Sequence, residues 1–193
     1  MLDARSFLEG SAKMNGPDHP SLRRLVGLWG LEVKANGAAS LGGLSARDLE
    51  FFHSIFKDSF VARGPKSGPF RLSFIGTDID AHLGWRVTNA ELSDCFRMER
   101  PEQIRSALAT AVELHRPLLI EIGLEQPLGP EQQQNAEILC LPFREPGPEE
   151  RAVEHNWATV FGMLAIADLP VLPAEPRYRE LAIKRFTVLS AIG

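Results

Sequence analysis

Between Pro20 and Lys34 the apolar side chains fall at Leu22, Leu25, Val26, Trp29 and Val33, one face of a 3.6-residue period. Pro20 suits a first turn and Asn36-Gly37 a stop, so the spacing predicts an amphipathic helix. After the looser AASLGG stretch, Ser45 with Asp48 three residues on reads as a capping box, and Leu44 with Leu49 has hydrophobic-staple spacing. That pair predicts a second helix running to about Phe56.

The period then changes. In PFRLSFIG, residues 69–76, Phe70, Leu72 and Phe74 alternate with Arg71 and Ser73, the two-residue repeat of a strand, with DSFVAR as its hairpin partner across RGPKSGP. Thr77 to Leu83 reads as a short helix closed by Gly84, and residues 85–98 show no clear period. Pro101 opens a helix with Ile104, Leu108, Ala111 and His115 on one stripe, ending before Pro117. Three strands follow, Leu118 to Leu124, Ala136 to Phe143 and Trp157 to Ala167. Their loops, EQPLGPEQQQN and REPGPEERAVEHN, are polar and rich in Pro or Gly, as hairpin connections should be.

The strand from Trp157 is apolar on both sides: Trp157, Phe161 and Met163 alternate with Ala158, Val160, Leu164 and Ile166. A sheet apolar on both faces must be covered twice. The short helices from Thr77 to His115 are the expected cover of one face, and the helix around Trp29 covers the other, alone or with a partner subunit. The fold class expected is α+β, a five-stranded antiparallel sheet with helices on both faces. Residues 1–18 are expected to form an arm, 19–168 the domain and 169–193 a tail.

Composition narrows the function. The chain has 193 residues, 44% hydrophobic and 24% charged, with a formal net charge of -4. That is one ordinary globular domain with extensions, without the basic excess of a dedicated nucleic-acid binder. Cys95 and Cys140 are too few for a disulfide scaffold and fit a reducing compartment. No apolar run approaches a signal peptide or a membrane span, so a soluble, cytoplasmic protein is expected. No HxxxH, HExxH, GxxxxGK[ST], GxGxxG or GxSxG pattern occurs, and no nucleophile has an evident base partner, so no catalytic residue, metal site or enzymatic activity is expected.

Two strands, a run of short helices ending in a longer one, then three antiparallel strands is the order of a PAS domain. At residue level, His19-Pro20, Trp29, Gly76-Thr77 and Leu141-Pro142-Phe143 resemble the punctuation of the PAS_5 family, common in alphaproteobacteria. Residues 84–89, GWRVTN, are an altered form of the family's third element, and KRFTVLSAIG resembles its closing segment. LGGLSARDLEFF replaces the family's usual Asp-Pro segment. The resemblance implies a sensory or regulatory domain, and PAS relatives often hold haem, flavin or a metabolite between sheet and helices. For this chain it leaves the cofactor unknown.

The residues expected at such a pocket are Phe74, Gly76, Leu83, Trp85, Cys95, Leu108 and Phe161, although a filled apolar core would read identically. Gly76-Thr77 also reads as a simple turn with Thr77 capping the next helix. Cys95 lies where light-sensing relatives carry a flavin-reactive cysteine, but Asp94-Cys95-Phe96-Arg97-Met98 lacks the surrounding pattern, and a small buried hydrophobe is the favoured reading. His115 ends the helix that supplies the axial ligand in haem-binding relatives, yet a last-turn His is favoured by the helix dipole alone. His82 and Cys140 have no metal-ligand spacing. Asp78/Asp80 and Glu149/Glu150 read as a helix first turn and a solvated loop.

The expected function is therefore a single-domain regulatory protein acting through protein association, with a small-molecule binding module as the alternative. The dimer surface expected is the helix face of Leu22, Leu25, Val26, Trp29 and Val33, with a homodimer or a separate signalling protein as partner and neither membrane nor nucleic acid. The tail, with Arg177, Arg179, Lys184 and Arg185 beside Tyr178 and Phe186, is expected to dock its RFTVL segment on the domain or on a second subunit.

Overall fold

The computed structural model describes residues 16–85, 89–96, 101–125, 134–143, 157–166 and 180–189. Three helices open it: α1 (Pro20–Asn36), α2 (Leu41–Arg47) and α3 (Leu49–Ile55), with a single 3₁₀ turn at Phe56–Asp58. A hairpin of β1 (Ser59–Pro65) and β2 (Arg71–Ile75) follows. Then come α4 (Thr77–Leu83), α5 (Leu92–Cys95) and α6 (Pro101–Leu114), and four strands, β3 (Leu118–Glu125), β4 (Gln134–Phe143), β5 (Trp157–Ile166) and β6 (Glu180–Val188).

The strands form one antiparallel sheet in the order β2-β1-β5-β4-β3-β6. It has six strands where five were expected, because the segment read as a tail pairs along β3 from Leu118↔Val188 to Glu125↔Glu180. Lys184 Nζ donates to Asn135 Oδ1 at 2.7 Å and Arg185 pairs with Glu121, so these two cations of the basic strip are held by the chain's own sheet. Phe186 and Val188 pack on the core, which places this docking within one chain. Arg177, Tyr178 and Arg179 lie outside the described residues.

Both faces of the sheet are apolar, as the strand pattern requires. Along β4, Ile138 and Cys140 join one core while Leu139, Leu141 and Phe143 join the other. The first core lies under α4, α5 and α6. The second lies under α1 to α3, where Leu22, Leu25, Val26 and Trp29 are buried and Val33 is half-buried. This corrects the dimer surface: the stripe of α1 seals the chain's own sheet and is not free for a partner.

The residues that carry the family resemblance also make this docking. His19 Nδ1 accepts from Ser21 N at 3.3 Å and Pro20 occupies the first turn, so His19-Pro20 is a helix start. The amides of Asp18 and His19 donate to the Glu137 carboxylate on β4, each at 3.0 Å. Trp29 Nε1 donates to the carbonyl of Pro142 at 3.0 Å, so the tryptophan and Leu141-Pro142-Phe143 are two halves of one buried contact.

The helix expected from Ser45 is instead two helices. Asp48 sits at φ -154, ψ 74, closes α2, and its carboxylate accepts from Phe51 N to begin α3. Ser40 caps α2 through Gly43 N, and Ser45 only donates back to Gly42 O. Leu49 is 56% exposed and makes no staple. Glu32, buried on α1, ties α1 to α2: it accepts from Arg47 Nε and from Asn36 Nδ2 of its own helix, each at 2.6 Å. The Arg47 bond holds its carboxyl below the usual range against the opposing effect of burial.

Candidate functional site

The space between the sheet and α4 to α6 is the expected pocket, and it is built around a glycine. Gly162 lies in the middle of β5 opposite Phe60 of β1, and a Cβ there would fall among the Phe60 ring carbons. The bare backbone thus lets the Phe60 ring lie across the centre of the sheet. Trp85, just after α4, meets Phe60 edge-on at 5.7 Å between ring centroids and 64°. Phe96, just after α5, meets Trp85 at 5.1 Å and 66°. Each ring pair adds about 0.5–1.5 kcal/mol beyond the area it buries. Leu83, Ile104 and Leu108 close the cluster, with Cys95 at its edge.

Of the residues expected here, Leu83, Trp85, Cys95 and Leu108 do come together. Phe74 and Phe161 do not: they belong to the opposite core, Phe161 stacked on Phe52 at 5.3 Å and Phe74 against Phe56 at 4.4 Å. For Phe74 the reason is a bulge between Val61 and Ala62, since Val61 faces Phe74 while Ala62 faces Leu72; Phe161 pairs in regular register with Val61, which belongs to the same opposite core. The added residue reverses the faces beyond it, so Phe70 and Leu72 point to one core and Phe74 to the other. Gly76 lines neither core. Its φ of -70 is ordinary, and glycine is needed because a Cβ would strike the carbonyls of Phe56 and Lys57. Thr77 makes no helix cap.

Phe60, Phe96 and Gly162 were not anticipated. The available signal was a glycine inside an otherwise continuous apolar strand, which marks a close approach.

Chemistry in this space is subdued. The Cys95 thiol donates to Glu91 O at 3.5 Å, and burial, with Asp94 adding to it, pushes its pKa up to about 11. Burial pushes Cys140 up to about 12. Neither is the thiolate that nucleophilic addition needs at neutral pH. His115, after α6, is exposed at φ 51; its amide donates to Val112 O, and Nδ1 lies 3.2 Å from Glu113 O. It terminates the helix and does not point an imidazole into the core. The His82 side chain lies outside the described residues. His115 is therefore not placed to ligate a haem iron, and the Cys95 thiol is not ionised for addition to a flavin. Among the described residues no group of three His, Cys, Asp or Glu could hold a metal ion. One polar atom in this interior stands out, the buried Trp85 Nε1, which has no hydrogen-bond partner among the described residues.

At the joint between the 3₁₀ turn and α4, Asp78 joins Asp58 and Lys57 in a cluster that the sequence pattern does not bring together. Lys57 Nζ binds Asp78 at 2.6 Å and lies 3.9 Å from Asp58. Burial raises the Asp58 pKa to about 6; Lys57 opposes this and Asp78 adds to it. The folded chain thus holds this proton more tightly than the unfolded one. The Asp58 contribution to stability is present below about pH 4 and lost as pH rises through 6. Asp58→Asn should therefore stabilise the protein at pH 7.5, by up to about 3 kcal/mol, with the gain gone by about pH 4. Urea unfolding of both proteins at the two pH values checks this, and a loss of stability at pH 7.5 would refute it.

The family model described as PAS domain, PAS_5, matches residues 18–155, from the start of α1 to just before β5. No curated protein matches the chain.

Proposed function

The chain belongs to the PAS_5 family of PAS domains, and from that membership we propose a regulatory module that passes its signal by contact with another protein chain, without catalysis of its own. The observation that carries this reading is the packed ring cluster: Phe60 lies over Gly162, with Trp85 and Phe96 in series beside it. Rings packed in series at the centre of that face leave the surface as the route for communication in this reading.

The partner in this reading is a second copy or a separate signalling protein. Because the apolar stripe of α1 is buried, the contact would use apolar side chains left outside, Leu31 on α1, Leu49 on α3 and Phe56 after it, 55%, 56% and 42% exposed. No described helix is long and apolar enough to cross a membrane, and both cysteines are free; these features support a cytoplasmic setting. A second reading, a small-molecule binding module, is favoured by Trp85 Nε1 alone, a buried donor that an acceptor-bearing ligand would satisfy.

Native mass spectrometry of freshly purified protein separates the two. The expected spectrum contains the bare 21.3 kDa chain or its multiples. A retained non-protein mass on every copy would overturn the proposal in favour of the binding module.

A further inference from the structure

A cleft at the far end of the sheet, away from the Phe60 cluster, has the features of a ligand site. Four segments meet there: the turn after β1, the end of β4, the start of β5 and the C-terminus of α6. They enclose a cavity of about 250 Å³ between Lys66, Val112, His115, Phe143 and Trp157. For scale, an apolar cavity of about 150 Å³ holds benzene.

Three observations define what it would take. First, Trp157 is 51% exposed, whereas Trp29 and Trp85 are each 4% exposed. Its indole gives the cleft an aromatic wall open to solvent, and the buried Phe143 and Val112 line the cleft behind it. Tryptophan left half in water is a common anchor at recognition surfaces, because it offers a large rigid apolar face. Second, among the described residues the cleft is lined by two basic side chains, Lys66 and His115, and by no carboxylate, although the chain as a whole carries -4. Lys66 has no ion pair among the described residues, while Arg105, in the open groove next door, is held by Glu91. Lys66 borders both spaces; Glu102 and Glu113 line the outer groove, so an anion on Lys66 is favoured on the side of the inner cleft, where no described carboxylate stands. Third, His115 is held at φ 51, a conformation uncommon for a non-glycine residue, and this places it on the rim of both cavities.

We propose that this cleft binds a small aromatic carboxylate, its ring against Trp157 and Phe143 and its carboxylate on Lys66. The inference goes beyond the regulatory reading, to which it would add an input separate from the packed ring cluster.

Naphthalene-2-carboxylate and its neutral isostere naphthalene-2-carboxamide test it on the full chain. The readout is the three indole N–H signals in proton–nitrogen NMR spectra, that of Trp157 identified by its loss in Trp157→Phe. The expected result is a saturable shift of the Trp157 signal, with the acid binding about tenfold tighter than the amide, the scale of one charge-assisted hydrogen bond. Lys66→Met should bring the acid to the amide's affinity and leave the amide unchanged, a difference that a general loss of fold would not produce. Absence of saturation, equal binding of acid and amide, or a shift confined to the Trp29 or Trp85 indole would each overturn the site. The last result would move binding into the core and would count against the proposed function as well, whereas the first two leave that function standing.

Discussion

Gly162→Ala is expected to cost about 3 kcal/mol of stability, far more than adding one methyl to an average strand. The new Cβ would lie among the ring carbons of Phe60, and that ring has no room to retreat. Phe60 is fully buried, Trp85 and Phe96 stand against it in series, and β5 is paired on both sides, with β1 and β4. The strain must then pass into the backbone or into α4 and α5. A smaller side chain at position 60 should absorb it, so Phe60→Leu with Gly162→Ala should be less destabilised than the sum of the two single changes by at least about 1 kcal/mol, as expected for residues in direct contact. Urea unfolding of the four proteins in the cycle measures the coupling. Additive costs would show that Phe60 does not occupy the space over Gly162, and the proposed function would lose its main support.

Deleting residues 180–193 should be at least as damaging. The whole of β6 would go, with its pairing along β3 and the packing of Ile183, Phe186 and Val188 against the core. What remains would present β3 as a bare edge, with Leu118, Ile120 and Ile122, all fully buried in the complete chain, beside unpaired amides and carbonyls. Such an edge is a template for intermolecular pairing. The truncated chain is expected to lose its sharp thermal transition and to aggregate at concentrations where the full chain remains dispersed. Phe186→Ala, which keeps the strand and removes one half-buried ring, should lower stability by only about 1–3 kcal/mol. Light scattering during a thermal melt reads both effects. A truncated chain with an unchanged midpoint would mean that β6 does not stabilise this sheet.

Much of the fold was legible in local pattern. The stripe of α1, the stop at Asn36-Gly37, the helix from Pro101 and the boundaries of β3, β4 and β5 follow from period and punctuation, because each depends on residues a few positions apart. The apolar character of both faces of β5 also announced that helices would cover the sheet twice. Less was legible at the candidate site. Leu83, Trp85, Cys95 and Leu108 were gathered correctly by position along the chain, but Phe74 and Phe161 were placed on the wrong side of the sheet. A strand's period says which residues share a face and not which face it is, and the bulge at Val61/Ala62 breaks even that rule. The spacing reads Asp48 as a partner in a capping box, whereas it is itself the cap, since both roles use the same residue types at similar spacing.

What the amino-acid sequence determined by itself is therefore the set of elements, their order and the need for two apolar layers. Those are properties of neighbours, and periodicity records them. The tertiary structure alone decided three things: that the stripe of α1 closes the chain's own sheet, that the last segment is its sixth strand, and that Phe60 fills the space left by Gly162. Each is a contact between residues that lie far apart in the chain, made by register and by the volume left over when two surfaces meet, and no local pattern carries that information.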